Sequence, residues 1–181
     1  MARYARDLKF TLKIPAGKWR IYSTSFRFAS ASEDNAAAYL KSASLGDVDV
    51  TNSEFTVTRG TAATQLELLF SGFAPRIDGI VLDSDDKPVA NADVIGIPEN
   101  GLSDPELSAR MLTAQTSPKG EFSIRGHPPG EYTLFAYTLD KQPSTEFDAF
   151  LRELASHGQV LKTEEKQGYK VILHLTSLKE Q

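Results

Sequence analysis

Pro128-Pro129-Gly130-Glu131-Tyr132-Thr133-Leu134-Phe135-Ala136-Tyr137 is the stretch that decides the fold. Two prolines fix φ and remove backbone donors, the glycine admits backbone that other residues avoid, and the run after them alternates. Tyr132, Leu134 and Ala136 fall on one side of an extended chain and Thr133, Phe135 and Tyr137 on the other, which predicts a strand over 131–138. Both sides are apolar enough to be half-buried or better.

Working outward, residues 76–82 alternate in the same way and run into Asp83-Ser84-Asp85-Asp86-Lys87-Pro88, a turn composition. Residues 92–98 and 112–116 read as further strands, Ser117-Pro118-Lys119-Gly120 as a tight hairpin, and 121–125 as its returning arm. Downstream, Phe147, Phe150, Leu151, Leu154 and Ala155 form one apolar stripe at helical spacing. Thr145 stands at the capping position with Asp148 three residues on, and Gly158 follows, so the spacing predicts a helix over 145–157. Strands at 160–163 and 169–177, joined by a polar turn at 164–168, complete the pattern. Short strands at intervals of about ten residues describe a sandwich or barrel, not βαβ units.

The first part of the chain repeats this grammar. Phe10-Thr11-Leu12-Lys13-Ile14-Pro15-Ala16-Gly17-Lys18-Trp19-Arg20-Ile21-Tyr22 aligns, with one residue of slack, on the segment from Phe122 through Pro128, Gly130 and Tyr132 to Phe135. An internal repeat is the economical explanation. Strands follow at 39–45, 48–50, 55–58 and 65–70, with a turn at Arg59-Gly60. The linker Ser71-Gly72-Phe73-Ala74-Pro75 is short, so two domains, 1–74 and 75–181, are expected to touch. The first is preceded by too few residues to supply the leading strands of the second and reads as a partial or atypical sandwich. A gap of that kind exposes a sheet edge, which suggests the C-terminal piece of a longer protein, or a neighbour that covers the gap.

Composition excludes several classes. The chain has 181 residues, 40% hydrophobic and 24% charged, which fits a folded globular protein and not a disordered or fibrous one. Its apolar runs fall far short of the roughly 20 residues a membrane-crossing helix needs. Net charge is −4, the wrong sign for a nucleic-acid surface. Nine basic and seven acidic residues lie in 1–75, against eleven and seventeen in 76–181. Opposite signs of this size can steer the two parts together without specifying an interface. With no cysteine there is neither disulfide nor thiolate chemistry, and the compartment stays open. The N-terminal residues carry no apolar secretory stretch, so any export signal lies outside this chain.

The run Ile77-Asp78-Gly79-Ile80-Val81-Leu82-Asp83, then Lys87-Pro88-Val89-Ala90-Asn91-Ala92-Asp93-Val94, then 116–122 and Pro128 to Leu134, resembles the carboxypeptidase regulatory-like domain over 76–137. The resemblance implies an all-β chain of tandem transthyretin-like (prealbumin-like), Ig-like β-sandwich domains. That family is seven-stranded and akin to the CnaB-like repeats of collagen-binding adhesins and to carbohydrate-binding-like, starch-binding folds. Segment 145–158, with Tyr39 to Ser42 and Asp47 to Val50, looks like the C-terminal region of large bacterial envelope proteins. This implies an extracytoplasmic location, in the periplasm, outer membrane or secreted.

Candidate sites are few. His127, His157 and His174 lack the close spacing of zinc ligands, and no metal or cofactor is expected. Enzymes related to this sandwich work through a separate catalytic domain or an iron held by two Tyr and two His, an arrangement not reproduced here. Asp83, Asp85 and Asp86 read as an Asx-rich turn in preference to a calcium loop, since a closing Glu is missing and Lys87 intrudes. An isopeptide bond from Lys9 or Lys13 lacks the Asn that 169–177 would have to supply. Among the aromatics, Trp19 and Tyr132 read as core, while Tyr22 and Tyr137, on the opposite strand face, are candidates for stacking on a sugar. The long polar connection 99–111 contributes Glu99, Asp104 and Glu106 as candidate binding residues, with a plain solvent excursion as the equal alternative.

The expected function is a non-catalytic module for protein–protein or carbohydrate recognition and structural spacing. Its partners would be other domains of the same longer chain and a protein or glycan ligand. The alternative is an accessory domain supporting an upstream carboxypeptidase-like or other enzyme. A transthyretin-like hydrolase would need a clustered His/Arg site that the sequence does not reveal.

Overall fold

A computed structural model describes residues 13–21, 26–27, 37–60, 65–99, 111–138 and 147–176. The chain is an all-β sandwich protein with one helix among these residues. Before the linker come β1 (Gly17–Trp19), β2 (Phe26–Arg27), β3 (Ala37–Leu45), β4 (Val48–Asp49), β5 (Phe55–Val57) and β6 (Leu66–Ser71). After it come β7 (Arg76–Leu82), β8 (Asp93–Pro98), β9 (Leu112–Gln115), β10 (Glu121–Arg125), β11 (Gly130–Tyr137), α1 (Phe147–Ala155), β12 (Gln159–Thr163) and β13 (Gly168–His174). None of the described helices is long and apolar enough to cross a membrane.

The seven strands after the linker form two layers, β10-β7-β13 and β12-β11-β8-β9. Ile77, Val81, Phe122, Ile124, Val171 and Leu173 of the first meet Val94, Leu112, Tyr132, Leu134 and Ala136 of the second in one buried cluster. The other face of β11 and β8 carries Ile95, Ile97, Phe135 and Tyr137, on which α1 lays Leu151, Leu154 and Ala155. The two-sided alternation of 131–137 therefore has a specific cause: one face looks into the sandwich and the other lies under the helix. β13 runs parallel to β7, then leaves that layer, so that Leu175 bridges Ala136 and the Thr176 amide donates to the Ala136 carbonyl at 2.8 Å.

The expected hairpin at 117–120 requires correction. The turn exists, with the Gly120 amide donating to Ser117 at 2.9 Å and the Ser117 amide to Glu121 at 2.8 Å. Its two arms then part: β9 pairs with β8, and β10 pairs with β7 in the other layer. Leu112 on one arm and Phe122 and Ile124 on the other bury their apolar faces toward each other across the core, which side-by-side pairing cannot do. Gly120 has φ 75°, and a Cβ there would lie 2.9 Å from the Val81 carbonyl oxygen, so the crossing itself selects glycine.

In the helix, the described residues run from Phe147 to Ala155, inside the expected 145–157; the capping position Thr145 lies outside the described residues. Amides of His157 and Gly158 donate to Leu154 and Ala155 and close its last turn.

Before the linker, β3 is the central strand, paired with β2, β4 and β6, while β1 pairs with β5. The buried cluster is small: Leu40, Ala43 and Val50, fringed by half-buried Ile21, Phe55, Leu66, Leu68 and Phe70. Trp19 is half-buried and outside that cluster, so the expectation that it packs in the core is corrected.

Candidate functional site

The two groups of strands meet where the β12–β13 turn reaches back across the linker. The Glu165 carboxylate accepts hydrogen bonds from the Tyr39 phenol and, at 3.2 Å, from the Ser71 hydroxyl, with the Lys41 ammonium 3.4 Å away. Tyr39 and Ser71 stand directly opposite each other in the β3–β6 pair, and a bulge between Leu40 and Ser42 sets that register. One carboxylate is thus held by three groups of the preceding sheet. The bond from Tyr39, above all, holds the Glu165 carboxyl below its usual range, with Ser71 and Lys41 adding to it. Burial, reinforced by Glu165, raises the Tyr39 phenol. Two backbone bonds flank the latch: Lys166 N–H to the Phe73 carbonyl and Arg76 N–H to that of Gln167, each 3.0 Å.

Beside the latch lies a cleft of about 310 Å³. Its basic side chains are Arg76 at the start of β7, Arg125 at the end of β10 and Lys166 on the turn; Ala37, Phe73 and Pro75 supply apolar wall. Arg76 and Arg125 are direct cross-strand neighbours in the β7–β10 register, and Gly168 flanks Arg76 on its other side. Arg76 Nε contacts the Asp78 carboxylate at 2.5 Å, and Arg125 Nε donates to Ser123 Oγ at 3.2 Å. The Lys166 ammonium sits 4.4 Å from the centre of the Phe73 ring. Each cation that lines the cleft is thus engaged within the chain, Arg76 by a carboxylate, Arg125 by a hydroxyl and Lys166 by an aromatic face.

Among the described residues, none of those singled out as binding candidates from the sequence lines this cleft. Tyr22, Asp104 and Glu106 lie outside the described residues. Glu99 is exposed just beyond β8, its amide donating to Glu131 at 3.0 Å. Tyr137 is corrected: it is 4% exposed, with Phe150 edge-on at 5.4 Å, because its strand face lies under α1. A ring so covered offers no face to a sugar. Sequence spacing gives no sign of the cleft, because its arginines are 49 positions apart and only the strand register joins them.

The remaining candidates resolve locally. Asp83 Oδ1 accepts the amides of Asp85 and Lys87 at 2.8 and 2.9 Å, and Lys87 lies 3.4 Å from Asp85, so this cluster closes its own turn. His157 and His174, both exposed, line a second pocket of about 190 Å³. Among the described residues no group of three or more His, Asp or Glu could hold a metal ion. His127 is fully buried, and among the described residues neither ring nitrogen has a hydrogen-bond partner.

No protein-family model matches the sequence, and no curated protein matches it. Among solved structures, the chain is similar to the Bacillus anthracis TIE protein, with 13% identity and a TM-score of 0.36 over 62% of this chain and 19% of that one. It is also similar to GBS52, the minor pilin of Streptococcus agalactiae, with 14% identity and a TM-score of 0.32 over 71% of this chain and 60% of that one. The chain thus spans less than two thirds of the length of either.

Proposed function

We propose that this chain is a non-catalytic module of a cell-envelope or secreted protein, in which two sandwich units, 1–74 and 75–181, are held as one rigid body for recognition and spacing. The second unit is of the carboxypeptidase regulatory-like type, on the motif order of 76–137 and its seven strands in layers of three and four. The observation that carries the reading is the Glu165 latch, where Tyr39, Lys41 and Ser71 converge on one carboxylate between paired backbone bonds. A spacer needs a junction that does not swing, and a five-residue linker alone would leave domain motion as the default.

Backbone ¹⁵N relaxation tests this. A rigid module gives one rotational correlation time for amides on both sides of the linker, and Glu165→Ala splits it in two. Independent tumbling in the unsubstituted protein would remove the spacer role.

A further inference from the structure

We propose that the second unit carries tension along the chain, with β7 and β13, its first and last strands, acting as a shear clamp. The proposal deepens the spacing half of the reading above and rests on it. β7 and β13 run parallel and pair residue for residue, from Arg76 beside Gly168 to Leu82 beside His174. Tension that enters through the linker pulls on the start of β7, and tension that leaves after Thr176 pulls on the end of β13. In a parallel pair those two points lie at opposite ends of one ladder, about 23 Å apart for seven residues. The pull therefore runs along the strands and across the backbone bonds between them, so the rungs share it and must fail together. Were the two strands antiparallel, the same pull would act at one end and part the rungs one by one.

Both ends of the ladder are reinforced. At the entry, Lys166 N–H donates to the Phe73 carbonyl and Arg76 N–H to that of Gln167, which carries the pairing back into the linker. At the exit, the Leu175 amide donates to the Leu82 carbonyl and the Thr176 amide to that of Ala136, each at 2.8 Å, so the end of the path is tied to both layers. Between the ends, apolar side chains keep water from the rungs, and a backbone bond that water cannot replace is the harder one to break. Ile77, Val81, Val171 and Leu173 cover the ladder from the core side. On the outer side, Ile80 stands directly opposite Ile172. Ile172 is 58% exposed and belongs to no buried cluster, and cover over the ladder gives this apolar side chain a role.

The experiment is single-molecule pulling on the full chain. Because the sequence has no cysteine, two introduced thiols can serve as the attachment points. One, common to both arms, is a cysteine appended after Gln181. The other is Gly72→Cys, where a Cβ meets nothing within 4 Å, or Ser84→Cys, on the exposed turn just beyond β7. From residue 72 the pull shears the β7–β13 pair. From residue 84 both attachments lie at the same end of the ladder, and the pull peels it. The length released, about 3.5 Å per residue freed, shows that the second unit is the one that opens. Forced unfolding follows the unfolding rate, so at one pulling speed the clamp requires a severalfold higher force from residue 72 than from residue 84. Ile172→Ser, which uncovers the rungs at an exposed position, should lower the force from residue 72. Equal forces from the two handles overturn the proposal, as does a force from residue 72 that Ile172→Ser does not lower. Those outcomes leave the single correlation time of the rigid module untouched.

Discussion

The phenol of Tyr132 donates to the carbonyl of Pro128, four residues back, at 2.8 Å. The indole of Trp19 makes the same bond to Pro15 at 3.0 Å, and the intervening glycines have nearly the same φ, 159° at Gly130 and 156° at Gly17. The internal repeat is therefore one local device used twice. A proline turns the chain, a glycine lets the strand leave, and an aromatic donor two residues later ties the strand back to the turn. In the second copy the ring is buried in the sandwich core, whereas in the first it is only half-buried.

Removing the hydroxyl separates the bond from the packing. Tyr132→Phe keeps the ring and should cost about 1 kcal/mol, read as a lower urea midpoint at unchanged slope. Trp19→Phe should cost less, since Pro15 faces water that can replace the donor. An unmoved midpoint for Tyr132→Phe would mean that packing alone holds the turn.

His127 makes the fold acid-sensitive. It is 0% exposed, Tyr132 stands edge-on to it at 5.3 Å, and burial lowers its pKa from 6.5 to about 4. The unfolded chain therefore binds a proton that the folded chain refuses between those values. Stability is full above pH 6.5, declines as pH falls, and the loss is complete below about 4. Between pH 7.5 and 4.5 this one group should remove about 2.5 kcal/mol. Urea unfolding at both values checks it, with His127→Leu expected to flatten that part of the dependence. An equal pH dependence in the two proteins would clear His127 of the effect.

Much of the fold was legible because period-two alternation survives in β7, β10 and β13, where core-facing side chains alternate with more exposed ones, and in β8 and β11, whose two faces lie in the sandwich core and under α1. The helical stripe of Phe150, Leu151, Leu154 and Ala155 was legible for the same reason. What sequence did not reveal was which layer each strand joins. Ser117–Gly120 has hairpin chemistry, and only the shared core between Leu112 and Phe122 makes its arms part. Tyr137 looked like the exposed side of a strand because the helix that covers it follows later in the chain. The junction cleft was invisible for a related reason: Arg76, Arg125 and Lys166 meet through pairing register and a turn, not through spacing.

Glu165 supplies a second acid response at a different place. Its carboxyl is held below the usual range by Tyr39, so the latch contributes fully above pH 4.5 and is lost as pH falls through the lowered value. Glu165→Gln, which keeps the shape and removes the charge, should abolish that response and leave the His127 step near pH 4 to 6.5 in place. Tyr39→Phe should cost about 1 kcal/mol without altering either core. Small-angle scattering resolves the consequence: the variant that opens the junction gains a larger radius of gyration, and an unchanged profile for Glu165→Ala would mean that the linker and its backbone bonds suffice.

Gly79 gives the sharpest test of the sandwich itself. It sits mid-way along β7, opposite Phe122 on one side and Val171 on the other. A Cβ there would fall 2.6 Å from the Phe122 ring and 2.6 Å from the Val171 carbonyl oxygen. The ring could swing away, but the carbonyl belongs to a paired strand and cannot move without opening the β7–β13 ladder. Gly79→Ala should therefore cost about 3 kcal/mol, the upper end of what overpacking costs. Gly79→Ala combined with Phe122→Leu separates the two contacts. If the clash with the ring dominates, the smaller side chain restores most of the loss in a urea titration. If the carbonyl dominates, as the position of β7 between two paired strands requires, the double variant stays as unstable as the cost of each change predicts, and hydrogen exchange accelerates first along β13.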